Sequence, residues 1–286
     1  MQSQWKMRVP AALALGAVAA GWLLFDSFDS RAAMTAVAEP VPTQIKNTGS
    51  EAGDAFLMDL SKAVDPGSRY LAEYEMDQEW IKIAYRERNV RFDQNGMTLT
   101  LAKNAGRPPF SGAEFQRNGT YGYGRYEVVL KASDGWGAVT SFFTYTGEYF
   151  GDPHDEIDFE FLGRQTRSVY VNYFSHGEKD QAEIPLWFDA SQGDHLYAFE
   201  WAPESIRWYI DGVKVREVDT TSARVKVPTS SGRVMASIWA ASGSAEGWVG
   251  EAAFKRTTAS YRCISHVPAG RSGSQCSDTF KPRAGS

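Results

Sequence analysis

Between Asp155 and Phe161 the chain reads DEIDFEF, and this strict alternation of acidic and apolar residues is the tightest constraint in the sequence. Successive side chains of a β-strand point to opposite faces. As a strand, the segment puts Glu156, Asp158 and Glu160 on one face and Ile157, Phe159 and Phe161 on the other. As a helix, the apolar trio would scatter around the axis and leave no single face to bury, so a strand is predicted. Its apolar face anchors it to a core, each fully buried side chain contributing about 1.5 to 3 kcal/mol. The acids are then expected on the opposite, accessible face.

Like charges at i, i+2 and i+4 repel one another, and spacing alone leaves three readings open. The acids can form a solvated polar face. They can join Asp152 and Asp155 in a cation cage, although the loop lacks EF-hand offsets and the alternation splits the set between two faces. Or they can be the paired carboxylates of a hydrolase. In retaining glycoside hydrolysis one carboxylate attacks the anomeric carbon while another, kept protonated, gives its proton to the leaving oxygen, the two lying about 5 to 5.5 Å apart. Four residues of flat strand span about 13 Å, so Glu156 and Glu160 would have to lean together. Asp158 between them would raise a neighbour's pKa and share protons as the roles exchange.

The two-residue period recurs at 97–102, 126–130 and 195–201. The run 206–215 carries Asp211-Gly212, a dipeptide suited to a type I′ hairpin turn. Gly122 and Gly124 suggest a bulge or a close backbone approach. From about Phe56 to Val267, short runs rich in Val, Ile, Tyr, Phe and Trp are separated by turn residues, with no long helical period. With 43% hydrophobic and 13% aromatic residues, this predicts one all-β domain, a sandwich, over 56–267. Trp136, Trp201 and Trp208 are assigned to structure first. Aromatic rings mixed with polar groups at 121–124, 142–147, 171–174 and 238–248 supply the flat faces and polar edges that a sugar cleft needs.

Ahead of the domain, Lys6 and Arg8 lead into an apolar run, 9–25, which reads as an export signal within 1–33, with cleavage as late as residue 38. Its seventeen residues fall short of the roughly 18 to 20 of a spanning helix, so a retained membrane anchor is the second choice. A secreted or periplasmic protein is expected. Residues 34–55 read as a linker and 268–286 as a flexible tail. The two cysteines, Cys263 and Cys276, are expected to pair in an oxidising compartment. A net charge of -5 leaves no basic surface for nucleic acid or an anionic membrane. The absence of GxSxG, GxxxxGK[ST], HExxH and Cys/His clusters argues against a serine hydrolase, an NTPase and a zinc site.

HDEIDFEFLG (154–163), with GAEFQRNGTYGYGRYEV (112–128) and SFFTYTG (141–147), resembles the bacterial family 16 glycoside hydrolases, closest to lichenase-type and succinoglycan-degrading endo-β-1,3-1,4-glycanases. The likeness runs over 56–267. It implies a β-jelly roll of two curved antiparallel sheets, a substrate cleft across the concave face, and retaining chemistry without a cofactor. By position it implies Glu156 as nucleophile, Asp158 as assisting acid and Glu160 as general acid/base. Asn89, Glu114, Phe143, Tyr145, Asn172 and Trp239 match substrate-lining positions, and His154 is a further candidate subsite contact.

The departures bear on substrate. His154 stands where lichenases carry Trp, Gln116 where they carry Arg, and Ser237 and Ala240 where they carry Asn. A decorated bacterial exopolysaccharide such as succinoglycan is therefore expected in place of cereal β-glucan. Arg262 stands where the family has an Asp calcium ligand, so no required metal is expected. A polysaccharide is the expected partner and a monomer the expected state. The alternatives are a non-catalytic carbohydrate-binding jelly roll, or a transglycosylase using the same acids.

Overall fold

Alternating runs become strands because one face of each can be buried, and here they stack as two sheets, antiparallel except where Lys82–Tyr85 runs parallel to the start of Phe110–Arg117. The computed structural model describes residues 53–281. The predicted signal and nearly all of the predicted linker lie outside the described residues. One sheet has the order Arg69–Leu71, Phe110–Arg117, Arg233–Ala240, Ala138–Thr146, Asp155–Leu162, Ser168–Ser175 and Glu178–Pro185. The other runs Val90–Asp93, Gly96–Lys103, Arg256–Pro268, Gly124–Lys131, His195–Ala202, Ser205–Ile210 and Val213–Asp219. The first strand, Phe56–Asp59, pairs with the far half of Arg256–Pro268. Strand Phe110–Arg117 starts beside Gly96–Lys103 and ends beside Arg233–Ala240, so it belongs to both sheets. This is the curved jelly-roll sandwich that the sequence predicted.

The apolar face of the acid strand, Asp155–Leu162, points into the space between the sheets. Phe159 and Phe161 meet the ring of Tyr197 at 5.6 and 4.7 Å, and Phe159 meets Phe199 at 6.4 Å. Both partners come from His195–Ala202 in the opposite sheet. Such aromatic pairs add about 0.5 to 1.5 kcal/mol beyond area burial. Trp201 and Trp208 are buried in this core, whereas Trp136 is 52% exposed and contributes no core face. Its loop position, outside any strand, had left its side chain without a periodic signal.

The turn at Asp211-Gly212 has φ of 48° and 82°, the positive pair that a two-residue type I′ hairpin requires. Gly124 sits between Trp201 and Pro268 in adjacent strands. A Cβ there would lie 2.4 Å from the Val267 carbonyl, which is the close approach its sequence context suggested.

Of the segment 268–286, read as a flexible tail, the described part up to residue 281 is pinned to the sheet. A disulfide joins Cys263 to Cys276 with their Cα atoms 5.8 Å apart, and the short helix Cys276–Thr279 lies on the sheet. Ser277 donates from its backbone N–H and its hydroxyl to the fully buried Glu127 carboxylate, at 2.8 and 3.0 Å. Arg125 supplies the counter-charge at 2.7 Å. A buried acid that needs partners thus fixes a segment whose own composition favours disorder. Arg262, which the resemblance set where a calcium ligand was expected, pairs with Asp194 at 2.6 Å. Replacing both cysteines with serine is expected to cost about 2 to 4 kcal/mol through the reopened loop, read by urea unfolding at neutral pH.

Candidate active site

Pairing register arranges the outer face of the acid strand into three rows. Glu156 lies between Tyr145 and Phe174, with Arg233 beyond one and Lys179 beyond the other. Asp158 lies between Phe143 and Asn172, flanked by Met235 and Gln181. Glu160 lies between Ser141 and Tyr170, with Ser237 and then Glu114 on one side and Glu183 on the other. The three acids therefore share one face, and Asn172 draws two of them together. Its side-chain nitrogen donates to Asp158 Oδ1 at 2.6 Å and to Glu160 Oε2 at 2.9 Å, so those oxygens lie no more than about 5.5 Å apart. The shared donor thus joins Asp158 to Glu160, while Glu156 is held from the other side by His154.

The acids are not on the open surface that alternation predicted. All three are at most 2% exposed, walled by the rings of the flanking strands. Phe143, Tyr145 and Met235 form an apolar cluster with Phe150, separate from the core between the sheets. Burial disfavours the charged form of a carboxyl. Accordingly, burial raises Glu160 to about 8, with Lys179 and the Asn172 bond opposing and Glu156 adding to the rise. Asp158 is held well above the ordinary aspartate range by burial and then by Glu160 and Glu156. Burial also raises Glu156, but here a bond from His154 Nε2 at 2.8 Å favours the ionised form, as does the charge of Lys179. His154 is held for this contact, stacked on Phe174 at 4.4 Å and edge-on to Tyr145 at 5.4 Å.

The cation-cage set disperses. Asp155 Oδ1 accepts the backbone N–H of His176 at 2.8 Å, and Oδ2 accepts those of Thr229 and Ser230 at 3.0 and 2.8 Å. Asp152 accepts the Thr146 hydroxyl at 2.7 Å. Asp155 is thus a staple between two loops and the start of the acid strand.

The remaining sequence candidates separate into two groups. Phe143, Tyr145, His154 and Asn172 touch or flank the acids. Glu114 shares the Glu160 row three strands away, takes the Tyr74 hydroxyl at 3.1 Å, and is raised by burial to about 8. Asn89 spends its amide on Ser111 Oγ and the Gly112 carbonyl, at 2.7 and 2.8 Å, holding its loop to strand Phe110–Arg117. Trp239 is fully buried against Trp80 at 5.9 Å, in the main core and one row beyond Glu160. Among the described residues, neither Asn89 nor Trp239 makes a hydrogen bond to the acids.

The model of the glycosyl hydrolases family 16 matches residues 77–259, which span both sheets and all three acids. The chain belongs to this family.

Among family 16 relatives, a beta-glucanase of Paenibacillus macerans is 40% identical over 58% of this chain and 68% of its own length. A Bacillus subtilis beta-glucanase is 42% identical over 58% of this chain and 66% of its own. The solved Bacillus licheniformis beta-glucanase superposes with a TM-score of 0.70 at 33% identity, covering 75% of this chain and 98% of that one. As a family 16 member the chain is a glycoside hydrolase. Its site holds two groups that strand-by-strand sequence reasoning missed. Tyr74 caps Glu114, and Lys179 reaches the acids from two strands away. Only the folded structure reveals either, since neither stands near its partners in the sequence.

Proposed function

We propose that the protein is a retaining endo-β-glycanase that cuts internal β-1,3/1,4-type linkages of a polysaccharide. The observation that carries this is the contrast between two acids on one strand face. Burial raises both, Glu160 to about 8, where it holds its proton at neutral pH, while at Glu156 a bond from His154 opposes the rise and favours the charge. Titratable groups with environments that push them apart mark acid and nucleophile.

Glu156 attacks the anomeric carbon and forms a glycosyl ester, while Glu160 protonates the departing glycosidic oxygen. Water then enters; Glu160 takes its proton, and the hydroxide oxygen displaces Glu156 with a second inversion, giving net retention. Asp158 shares the Asn172 donor with Glu160, and a charge on Glu160 strengthens Asp158's hold on its proton. The beta-glucanase relatives support a β-glucan-like backbone. His154, Gln116, Ser237 and Ala240, where lichenases carry Trp, Arg and Asn, favour a decorated bacterial exopolysaccharide such as succinoglycan over cereal glucan. Export to the periplasm or medium suits a polymeric substrate of that kind.

Incubation with lichenan, laminarin, carboxymethyl cellulose and succinoglycan, followed by sizing and proton NMR of the first products, tests the reading. Rapid loss of chain length with the β-anomer appearing first is expected. First-formed α-anomer would contradict the double displacement. Binding without shortening would mark a carbohydrate-binding module, and products longer than the substrate a transglycosylase.

A further inference from the structure

Lys179 lies on the strand Glu178–Pro185, directly opposite Phe174, which is itself opposite Glu156. Its side chain does not point away into water. The ammonium sits 5.5 Å from the Phe174 ring and 5.8 Å from the Trp248 ring. Trp248 in turn packs edge-on to Tyr170 at 5.5 Å, and Tyr170 is the neighbour of Glu160. The charge is therefore suspended between the row of Glu156 and the row of Glu160, above the row of Asp158. It acts on all three acids through space, with no side-chain hydrogen bond to them among the described residues.

We propose that Lys179 is the counter-charge of this centre, a positioning residue that keeps one of the three acids ionised before substrate arrives. The proposal rests on the glycanase reading above. Three buried carboxyls cannot all ionise without partners, and one nearby ammonium balances one of them. His154 directs that single charge to Glu156, leaving protons on Glu160 and Asp158. The resting centre is then nearly neutral, and it is already in the state that a retaining first step requires.

Other groups near the ammonium are engaged elsewhere. Glu183 accepts the Tyr170 hydroxyl at 3.0 Å. Asp180, on the opposite strand face, is paired with Arg216 at 3.0 Å. Glu246, from the segment carrying Trp248, is exposed. A role in gripping an anionic sugar substituent is disfavoured by the same geometry, because such a group would also meet the Glu156 charge.

The test is the pH profile of kcat/KM on neutral lichenan for the wild type, Lys179→Met and Lys179→Arg. Loss of the positive charge makes each acid harder to ionise. The acid limb, set by Glu156, and the alkaline limb, set by Glu160, should both move upward by about one pH unit in Lys179→Met. Lys179→Arg should return both towards the wild type. If Lys179→Met misfolds, Lys179→Gln serves, and carbon-13 NMR titration of glutamate carboxyls in the full chain gives the same readout without turnover. Limbs or titrations that do not move overturn the proposal. So does a loss confined to succinoglycan with limbs unmoved, which would make the ammonium an anion-binding group. Should Glu156→Gln or Glu160→Gln remain active, the glycanase reading fails instead, so the two failures are distinguishable.

Discussion

Glu156→Gln and Glu160→Gln are each expected to lower hydrolysis of a natural glucan by about ten-thousandfold or more, while melting at or above the wild-type temperature. The two halves of this expectation have one cause. Both carboxyls are buried at a cost that an uncharged amide does not carry, and glutamine fills the same volume. At position 156 it keeps an oxygen for His154, and at 160 an acceptor for Asn172. Chemistry is lost for different reasons, which permits a finer check. With an aryl glycoside whose leaving group needs no proton, Glu160→Gln should recover much of its first step, but Glu156→Gln should not. Retention of a tenth of wild-type hydrolysis by either variant would remove that residue from the mechanism.

Stability should fall by several kcal/mol between pH 5 and pH 8, opposite to what an ordinary protein with ion-paired carboxylates shows. Glu114 and Glu160 hold their protons to about 8, and Asp158 is raised as well. In the unfolded chain such groups release their protons near pH 4 to 4.5. Above that range the folded state binds more protons than the unfolded one, so each pH unit costs about 1.4 kcal/mol per proton held, until the folded pKa is passed. His266 acts in the other direction. Burial depresses it to about 4, so it favours the fold as pH rises through 6.5 and offsets one proton of slope below that point. Glu114→Gln removes one raised acid yet keeps an acceptor for Tyr74, and should raise stability at pH 8 more than at pH 5. Urea midpoints at pH 5, 6, 7 and 8 decide the matter. Wild-type stability that climbs steadily over that range would contradict the protonated state assigned to the centre.

How much of this was legible in the sequence depends on the range of the signal. DEIDFEF announced a strand, an anchored face and an acid face, because a period of two is a local property. It did not announce that the acid face would be covered, since the covering rings belong to Ala138–Thr146 and Ser168–Ser175. Family resemblance located Glu114 and Asn172, but only coordinates showed Asn172 dividing one amide between two carboxyls. Trp239 matched a substrate-lining position, and the register puts it on the acid face one row beyond Glu160, but that it packs against Trp80, far away in the chain, was not legible. Lys179 carried no motif at all; its placement follows from the register 179 to 174 to 156. The last segment looked like a tail because composition cannot reveal that Glu127, buried on another strand, awaits its serine.

One feature of the topology governs the order in which the molecule can be made. Arg256–Pro268 binds the opening strand, the strand Gly96–Lys103 and the strand Gly124–Lys131 at once. Among the described residues nothing else closes the middle of that sheet, so the strand Phe56–Asp59 gains its neighbour only once residues 263–266 have left the ribosome. Neighbouring strands within 138–185 and within 195–219 can pair during synthesis, but the sheet that Arg256–Pro268 bridges stays in separate pieces until that strand arrives.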